Sequence, residues 1–177
     1  MTPRPLQGLS ASVIQQKFAA DYKNGDMEAF KANAEAFDAL ISDMDTLLAT
    51  RKEFLLGVWL ESAKAMGTNA EESALYEKNA RNLLGTWGNK DCKLFDYACK
   101  QWSGMMNGYY KQRWNLFFED VLANWGHFEQ NDFAQKCKDY EWNWISDTTC
   151  FPTEKSGDEI EVVKKLWNKY NADLRHE

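Results

Sequence analysis

Proline is scarce in this chain of 177 residues, which contains only Pro3, Pro5 and Pro152. Because proline breaks helices, its absence from residues 6–151 leaves that whole stretch free to be helical. No run alternates β-branched and polar residues with the period of two that is typical of strands. These two absences exclude a β-rich or alternating strand–helix fold and favour an all-α protein.

Motifs for metals, cofactors, nucleic acids and membranes are also missing. A zinc site would need closely spaced cysteine and histidine ligands. The chain has no Cys-x-x-Cys pair, and its two histidines lie far in sequence from its four cysteines, which are Cys92, Cys99, Cys137 and Cys150. No glycine-rich nucleotide motif occurs, and the net charge of −6 argues against nucleic acid. No apolar run approaches the ~20 residues of a membrane span. We therefore predict no metal, no cofactor, no nucleic-acid partner and no membrane partner.

The 27 acidic residues form no convincing catalytic pair. Glycoside hydrolysis needs two carboxylates about 5 to 10 Å apart, and one of them must have a raised pKa. Glu71 and Glu72 fall in a predicted first helical turn, and Glu119 with Asp120 fits a solvated helix face. We therefore assign no catalytic residue in this chain.

Apolar residues at spacings of three and four predict helices along nearly the whole chain. The predicted helices cover about residues 10–23, 26–49, 52–66, 70–84, 95–123, 131–145 and 157–170. Cys99 falls inside the fifth of them and is predicted to be a small core residue. Short links predict an antiparallel helical bundle of about six to seven helices, formed by residues 1–177 as a single domain.

Aromatic residues are abundant, at 14% of the chain with eight tryptophans. The most informative is Trp87, which lies in a predicted loop at residues 85–91 between Gly85 and Gly88. Glycines give this backbone conformational freedom. Trp87 therefore either projects at a surface or cleft, where its ring can stack on a sugar, or plugs the end of the bundle. Asp96 is placed to cap the following helix or to hold the Trp87 loop.

Six ordered segments carry a family resemblance: residues 54–63, 75–81, 86–88, 96–98, 100–104 and 109–114. Together they resemble the C-terminal helical domain of the α-N-acetylglucosaminidases, glycoside hydrolase family 89. The resemblance implies a larger parent enzyme that removes terminal α-linked N-acetylglucosamine from glycans. It also implies that both catalytic glutamates lie on a (β/α)₈ barrel, which is absent from this chain. The implied parent is secreted, periplasmic or lysosomal.

By position, the resemblance also implies roles for individual residues. In such enzymes the helical domain docks on the barrel and closes one side of the active-site cleft. The implied substrate-binding residues are Trp87, Leu94 and Tyr97, and the implied supporting residues are Asp96, Gln101, Arg113 and Trp114. The loop at residues 89–94 departs from the animal pattern, which affects the register of Leu94 most. The alternative functions are a stand-alone carbohydrate-binding module and a structural helical interaction module.

Overall fold

The computed structural model describes the backbone of residues 4–92, 96 and 98–171, and the side chains from residue 11 onwards within those ranges. This part of the chain contains seven α-helices and no strand of a sheet, which confirms the predicted all-α helical bundle. The helices are α1 (Arg4–Asn24), α2 (Met27–Leu48), α3 (Leu56–Lys64), α4 (Ala70–Leu84), α5 (Lys111–Ala123), α6 (Gln130–Ile145) and α7 (Glu159–Tyr170). A short 3₁₀ turn (Lys52–Phe54) precedes α3, and a π-helical turn (Met106–Tyr110) runs directly into α5.

The first two helices form a hairpin, as their short link predicts. Gly25 has a φ of 75°, a left-handed conformation that glycine adopts without strain. Asp26 then caps α2 by accepting a hydrogen bond from the Ala29 amide at 3.0 Å. The apolar stripe of α2 faces inward, with Phe30 and Phe37 buried.

Two hydrophobic clusters hold the helices together. The N-terminal cluster joins α1, α2 and α5 through packed rings, in which Phe18 meets Phe118 edge-on with ring centroids 5.2 Å apart. The central cluster joins α3, α4, the π turn and α6 around Leu56, Leu84 and Tyr109. The candidate site sits at the central cluster, where α4 ends.

The predicted start of the fifth helix near residue 95 is wrong. Residues 98–104 are not helical, and the π turn begins only at Met106. Cys99 and Gly104 have φ values of 46° and 88°, which a continuous right-handed helix does not allow. Ser103 instead pairs with the segment before α3, donating its amide to the Phe54 carbonyl at 2.8 Å. Cys99 is exposed, so the prediction that it is a core residue was also wrong.

A distant carboxylate sets the new helix start. Asp45, on α2, accepts hydrogen bonds from the backbone amides of Gly104 at 2.7 Å and Asn107 at 3.1 Å. It also accepts one from the Ser103 hydroxyl at 3.0 Å. These bonds satisfy amides that a helix start leaves without partners inside the helix. The cap comes from a residue about sixty positions away, and local sequence therefore does not reveal it.

Candidate functional site

The loop that carries Trp87 is tied tightly to the last turn of α4. The Gly85 amide donates to the Arg81 carbonyl at 3.0 Å, and the Trp87 amide donates to the Asn82 carbonyl at 2.7 Å. The buried Thr86 hydroxyl donates to the Asn82 side-chain oxygen at 2.7 Å. Trp87 itself has a φ of 62°, an uncommon conformation for a residue with a large side chain. The loop is therefore ordered by its own hydrogen bonds.

Trp87 lies at the surface rather than sealed in the bundle, because 39% of the residue is exposed. A strained backbone that holds a partly exposed ring is a recurring feature of functional sites. Trp87 also has a further interaction within the domain. The geometry therefore combines a restrained backbone with a partly exposed tryptophan.

Asp96 closes the loop from the other side. Its amide donates to the Gly85 carbonyl at 2.9 Å, and its own carbonyl accepts from the Cys99 amide at 2.8 Å. Its carboxylate accepts from the Arg113 guanidinium at 2.6 Å. Leu94 and Tyr97, the other two predicted sugar-contacting residues, lie outside the described residues.

Arg113, on α5, joins this loop to the centre of the domain. Its guanidinium donates to Asp96 at 2.6 Å and to Glu141 of α6 at 2.5 Å. The guanidinium carbon lies 4.7 Å from the centroid of the Tyr109 ring. Burial alone would lower the pKa of Arg113, but Tyr109 and the two carboxylates more than offset it, so that pKa is raised. The guanidinium therefore stays charged and links α5, α6 and the Trp87 loop.

Glu141 is a member of this network that sequence reasoning missed. It is buried on α6, and burial raises the pKa of its carboxyl group despite the neighbouring Arg113. Glutamates on an amphipathic helix usually face solvent. Helical spacing does place Glu141 on the buried stripe of α6 with Trp144 and Ile145. Only the packing of α6 against α5 identifies Arg113 as its partner.

Tyr109 supports the loop from beneath. It is fully buried, and burial raises the pKa of its hydroxyl group. A Cβ atom added at Gly85 would lie only 3.3 Å from the Tyr109 hydroxyl oxygen. The glycine therefore lets the Trp87 loop settle directly on the central cluster.

The other two predicted supporting residues lie elsewhere. Gln101 is exposed in the non-helical segment before the π turn. Trp114 belongs to the N-terminal cluster, where its ring packs 4.8 Å from that of Phe37. The structure thus links Asp96 and Arg113 to the loop that carries Trp87, and it places Trp114 in the packing of α1, α2 and α5.

Asp120 also departs from the sequence interpretation. We expected Glu119 and Asp120 to share a solvated face, but only Glu119 is exposed. Asp120 is buried and paired with Lys136 of α6. This pair is a second ionic link between α5 and α6.

The described part of the chain shows no cluster of three or more histidine, cysteine or acidic side chains that could hold a metal ion. Its helices include none that is both long and apolar enough to cross a membrane.

Similarity to known proteins defines the family. The sequence profile of the α-N-acetylglucosaminidase (NAGLU) C-terminal domain matches residues 4–169. The chain belongs to this family. Human α-N-acetylglucosaminidase is 35% identical over 134 residues, which cover 74% of this chain and 18% of the human protein. The resemblance inferred from the six sequence segments is therefore confirmed.

Solved structures of a family 89 glycoside hydrolase from Clostridium perfringens have the same fold. One, a variant with two Glu-to-Gln substitutions in complex with its substrate GlcNAc-α-1,4-galactose, matches with a TM-score of 0.82 and 31% identity. Another, in complex with PUGNAc, also matches with a TM-score of 0.82 and 31% identity. Each match covers 93% of this chain and 20% of the bacterial chain. The chain thus spans about a fifth of the length of these relatives.

Proposed function

We propose that this helical domain walls the sugar-binding cleft of a larger α-N-acetylglucosaminidase and docks on its (β/α)₈ barrel. In this role it helps the enzyme to release terminal α-linked N-acetylglucosamine, while both catalytic glutamates lie outside this chain. The observation that carries the proposal is the partly exposed Trp87 ring on a loop held by α4, Asp96 and Arg113. An indole ring offers a flat apolar face on which a sugar ring can stack.

The anchoring of the loop matches this role. A wall that contributes to catalysis must be held in place before the substrate arrives, because ordering it during binding would weaken affinity. The hydrogen bond from the Trp87 amide to α4 and the hydrogen bond from the Asp96 amide to Gly85 restrain both sides of the loop. Arg113 extends this restraint to α5 and α6. We propose Asp96 and Arg113 as supports of the wall, and Leu94 and Tyr97 as further sugar contacts.

Trp87→Ala in the full-length enzyme that carries this domain tests the proposal. We expect kcat/KM for a terminal α-linked N-acetylglucosamine substrate to fall by about 10- to 100-fold, since truncating a ring that contacts the ligand typically removes 1 to 3 kcal/mol. Trp167→Ala is the matched control, because Trp167 is 49% exposed but lies on α7. Equal kcat/KM for the two variants would contradict the proposal and favour a structural interaction module.

A stand-alone carbohydrate-binding module is the alternative, because Trp87 is exposed within the chain itself. Titration of the 177-residue chain with N-acetylglucosamine, followed by tryptophan fluorescence, separates the two. We expect no saturable signal at millimolar sugar, since one wall leaves most of the sugar in water. A saturable signal that is lost in Trp87→Ala would support the alternative.

A further inference from the structure

An apolar groove lies between α3 and α4. It has a volume of about 270 Å³ and is lined by Trp59, Ser62, Ala63, Met66, Tyr76, Asn79, Ala80 and Leu83. Three of these large apolar residues are open to solvent, with Trp59 39%, Leu83 42% and Met66 68% exposed. Contiguous apolar surface of this kind on a globular domain usually marks a place where another surface packs.

Two polar side chains that line the groove, Trp59 and Ser62, have partners within the domain. The Trp59 indole N–H donates to the Ala80 carbonyl at 3.2 Å, and an indole has no second donor. The Ser62 hydroxyl donates to the Val58 carbonyl of its own helix at 2.7 Å. The groove therefore presents mainly carbon to its surroundings, which suits an apolar protein surface better than a polar ligand.

The charge of the lining distinguishes this groove from two other surface depressions in the described part of the chain. No charged side chain lines the α3–α4 groove. The depression between residues 50–53 and the start of α7 is lined by six charged side chains, among them the paired Arg51 and Glu159. The depression between α2 and α5 also contains several charged side chains, such as Lys31 and Glu119. The α3–α4 groove is thus the least suited of the three to remain in water.

One end of the groove lies near the loop that carries Trp87, which we propose as a wall of the sugar-binding cleft. Leu83 belongs to the last turn of α4, and the Trp87 amide donates a hydrogen bond to the carbonyl of the neighbouring Asn82. A surface that covers Leu83 would therefore sit at the end of α4 from which the Trp87 loop emerges. Docking at the groove would place the covering surface beside that loop.

We propose that the α3–α4 groove is the docking surface of this domain, and that it receives an apolar face of the remaining chain of the larger glycosidase. This inference rests on the proposed function. The relatives are about five times as long as the matched region, so most of each relative lies outside it. A partner on the same chain is present at a high effective concentration, and a small apolar contact then suffices to hold it.

Leu83→Lys and Met66→Lys, each in the full-length enzyme, test the groove. Lysine tolerates helical and exposed positions, so neither variant should alter the melting temperature of the 177-residue chain alone. In the full-length enzyme, burying the new charge against an apolar face opposes docking. We expect at least a tenfold loss of kcat/KM, together with a separate, earlier melting transition for the helical domain.

Ile160→Lys is the matched control, since Ile160 is 61% exposed on α7 and lies outside the groove. If Leu83→Lys and Met66→Lys behave like Ile160→Lys, the groove is not the docking surface. If instead the 177-residue chain sediments as a dimer that Leu83→Lys dissociates, a second copy occupies the groove and the inference is also overturned.

The proposal that the groove is a docking surface and the proposal that Trp87 contacts the sugar can be tested separately. Trp87→Ala removes a ring without adding charge to the groove, so it should lower kcat/KM and leave the melting of the full-length enzyme as a single transition. If Trp87→Ala lowers kcat/KM while the lysine variants change neither kcat/KM nor melting, the role of Trp87 is supported and docking at the groove is contradicted. If the lysine variants split the melting transition while Trp87→Ala leaves kcat/KM unchanged, docking at the groove is supported and the role of Trp87 is contradicted.

Discussion

Replacing Arg113 with methionine is expected to lower the free energy of unfolding by about 3 to 5 kcal/mol, the range for breaking a buried ion pair on one side. The substitution leaves Asp96 and the buried Glu141 without their shared cation. It also removes two short hydrogen bonds, so both carboxylates lose a charged donor. Urea unfolding of the 177-residue chain measures the loss.

Arg51→Met is the control for Arg113→Met. Arg51 pairs with Glu159 at 3.1 Å, but both side chains are about half exposed. Water screens such a pair, and its removal should lower the free energy of unfolding far less than the loss of Arg113 does. Equal losses for the two variants would show that the Arg113 network contributes no more than a surface ion pair.

The loss in Arg113→Met should also depend on pH. Burial already raises the pKa of Glu141, and Arg113 opposes that rise, so the pKa of Glu141 should be higher still in the variant. A carboxyl group with a raised pKa in the folded state destabilises the fold at higher pH and stops doing so once it is protonated. The difference between the variant and the original chain should therefore shrink as the pH falls from 7 toward the ordinary Glu pKa of about 4.3. A difference that is constant over this range would contradict the assignment to Glu141.

Gly57→Ala is expected to destabilise the domain by about 3 kcal/mol or more, the upper range for forcing extra volume into a packed interior. A Cβ atom at this position would lie 2.3 Å from the Pro152 carbonyl oxygen and 2.4 Å from that of Phe151. These are backbone atoms, so no side chain can rotate away to make room. The segment that contains Phe151 and Pro152 lies against α3 and would have to move. The Phe151 ring, which packs against the central cluster, would move with it.

Helix propensity predicts the opposite sign for Gly57→Ala. Gly57 lies within α3, and alanine is favoured over glycine in a helix by about 1 kcal/mol. Thermal unfolding therefore decides between a local and a tertiary effect. Gly88→Ala is the control, because among the described residues its new methyl group would meet only the Cys92 side chain, at 3.3 Å or more. A stabilised Gly57→Ala would contradict the close crossing of the segment over α3.

Periodicity was sufficient for most of the helices because their stability depends on a continuous apolar stripe. The predicted second helix, residues 26–49, corresponds to Met27–Leu48, and the predicted fourth, residues 70–84, corresponds to Ala70–Leu84. Their capping residues, Asp26 and Asn69, are close in sequence to the amides that they bind. Local patterns therefore identify both the body and the start of these helices.

The fifth helix shows where such reasoning stops. Its ring-rich sequence reads as helical from residue 95, yet helical geometry begins about ten residues later, at the π turn. The competing interactions are the Ser103 pairing with Phe54 and the Asp45 carboxylate on α2. Both partners are some fifty to sixty residues away, so no window of local sequence contains them.

The sequence by itself determined the all-α class, most helix positions, the family and the choice of Trp87 as a candidate site residue. Each of these depends on residue type and short-range spacing. Only the tertiary structure decided that Glu141 shares Arg113 with Asp96 and that Tyr109 lies beneath Gly85. It also decided that the described part of the chain leaves apolar residues of the α3–α4 groove exposed. The physical reason is that burial and pairing depend on which helix faces pack together. Helical spacing can place Glu141 on the buried stripe of α6, but only the packing brings Arg113 of α5 to meet it there.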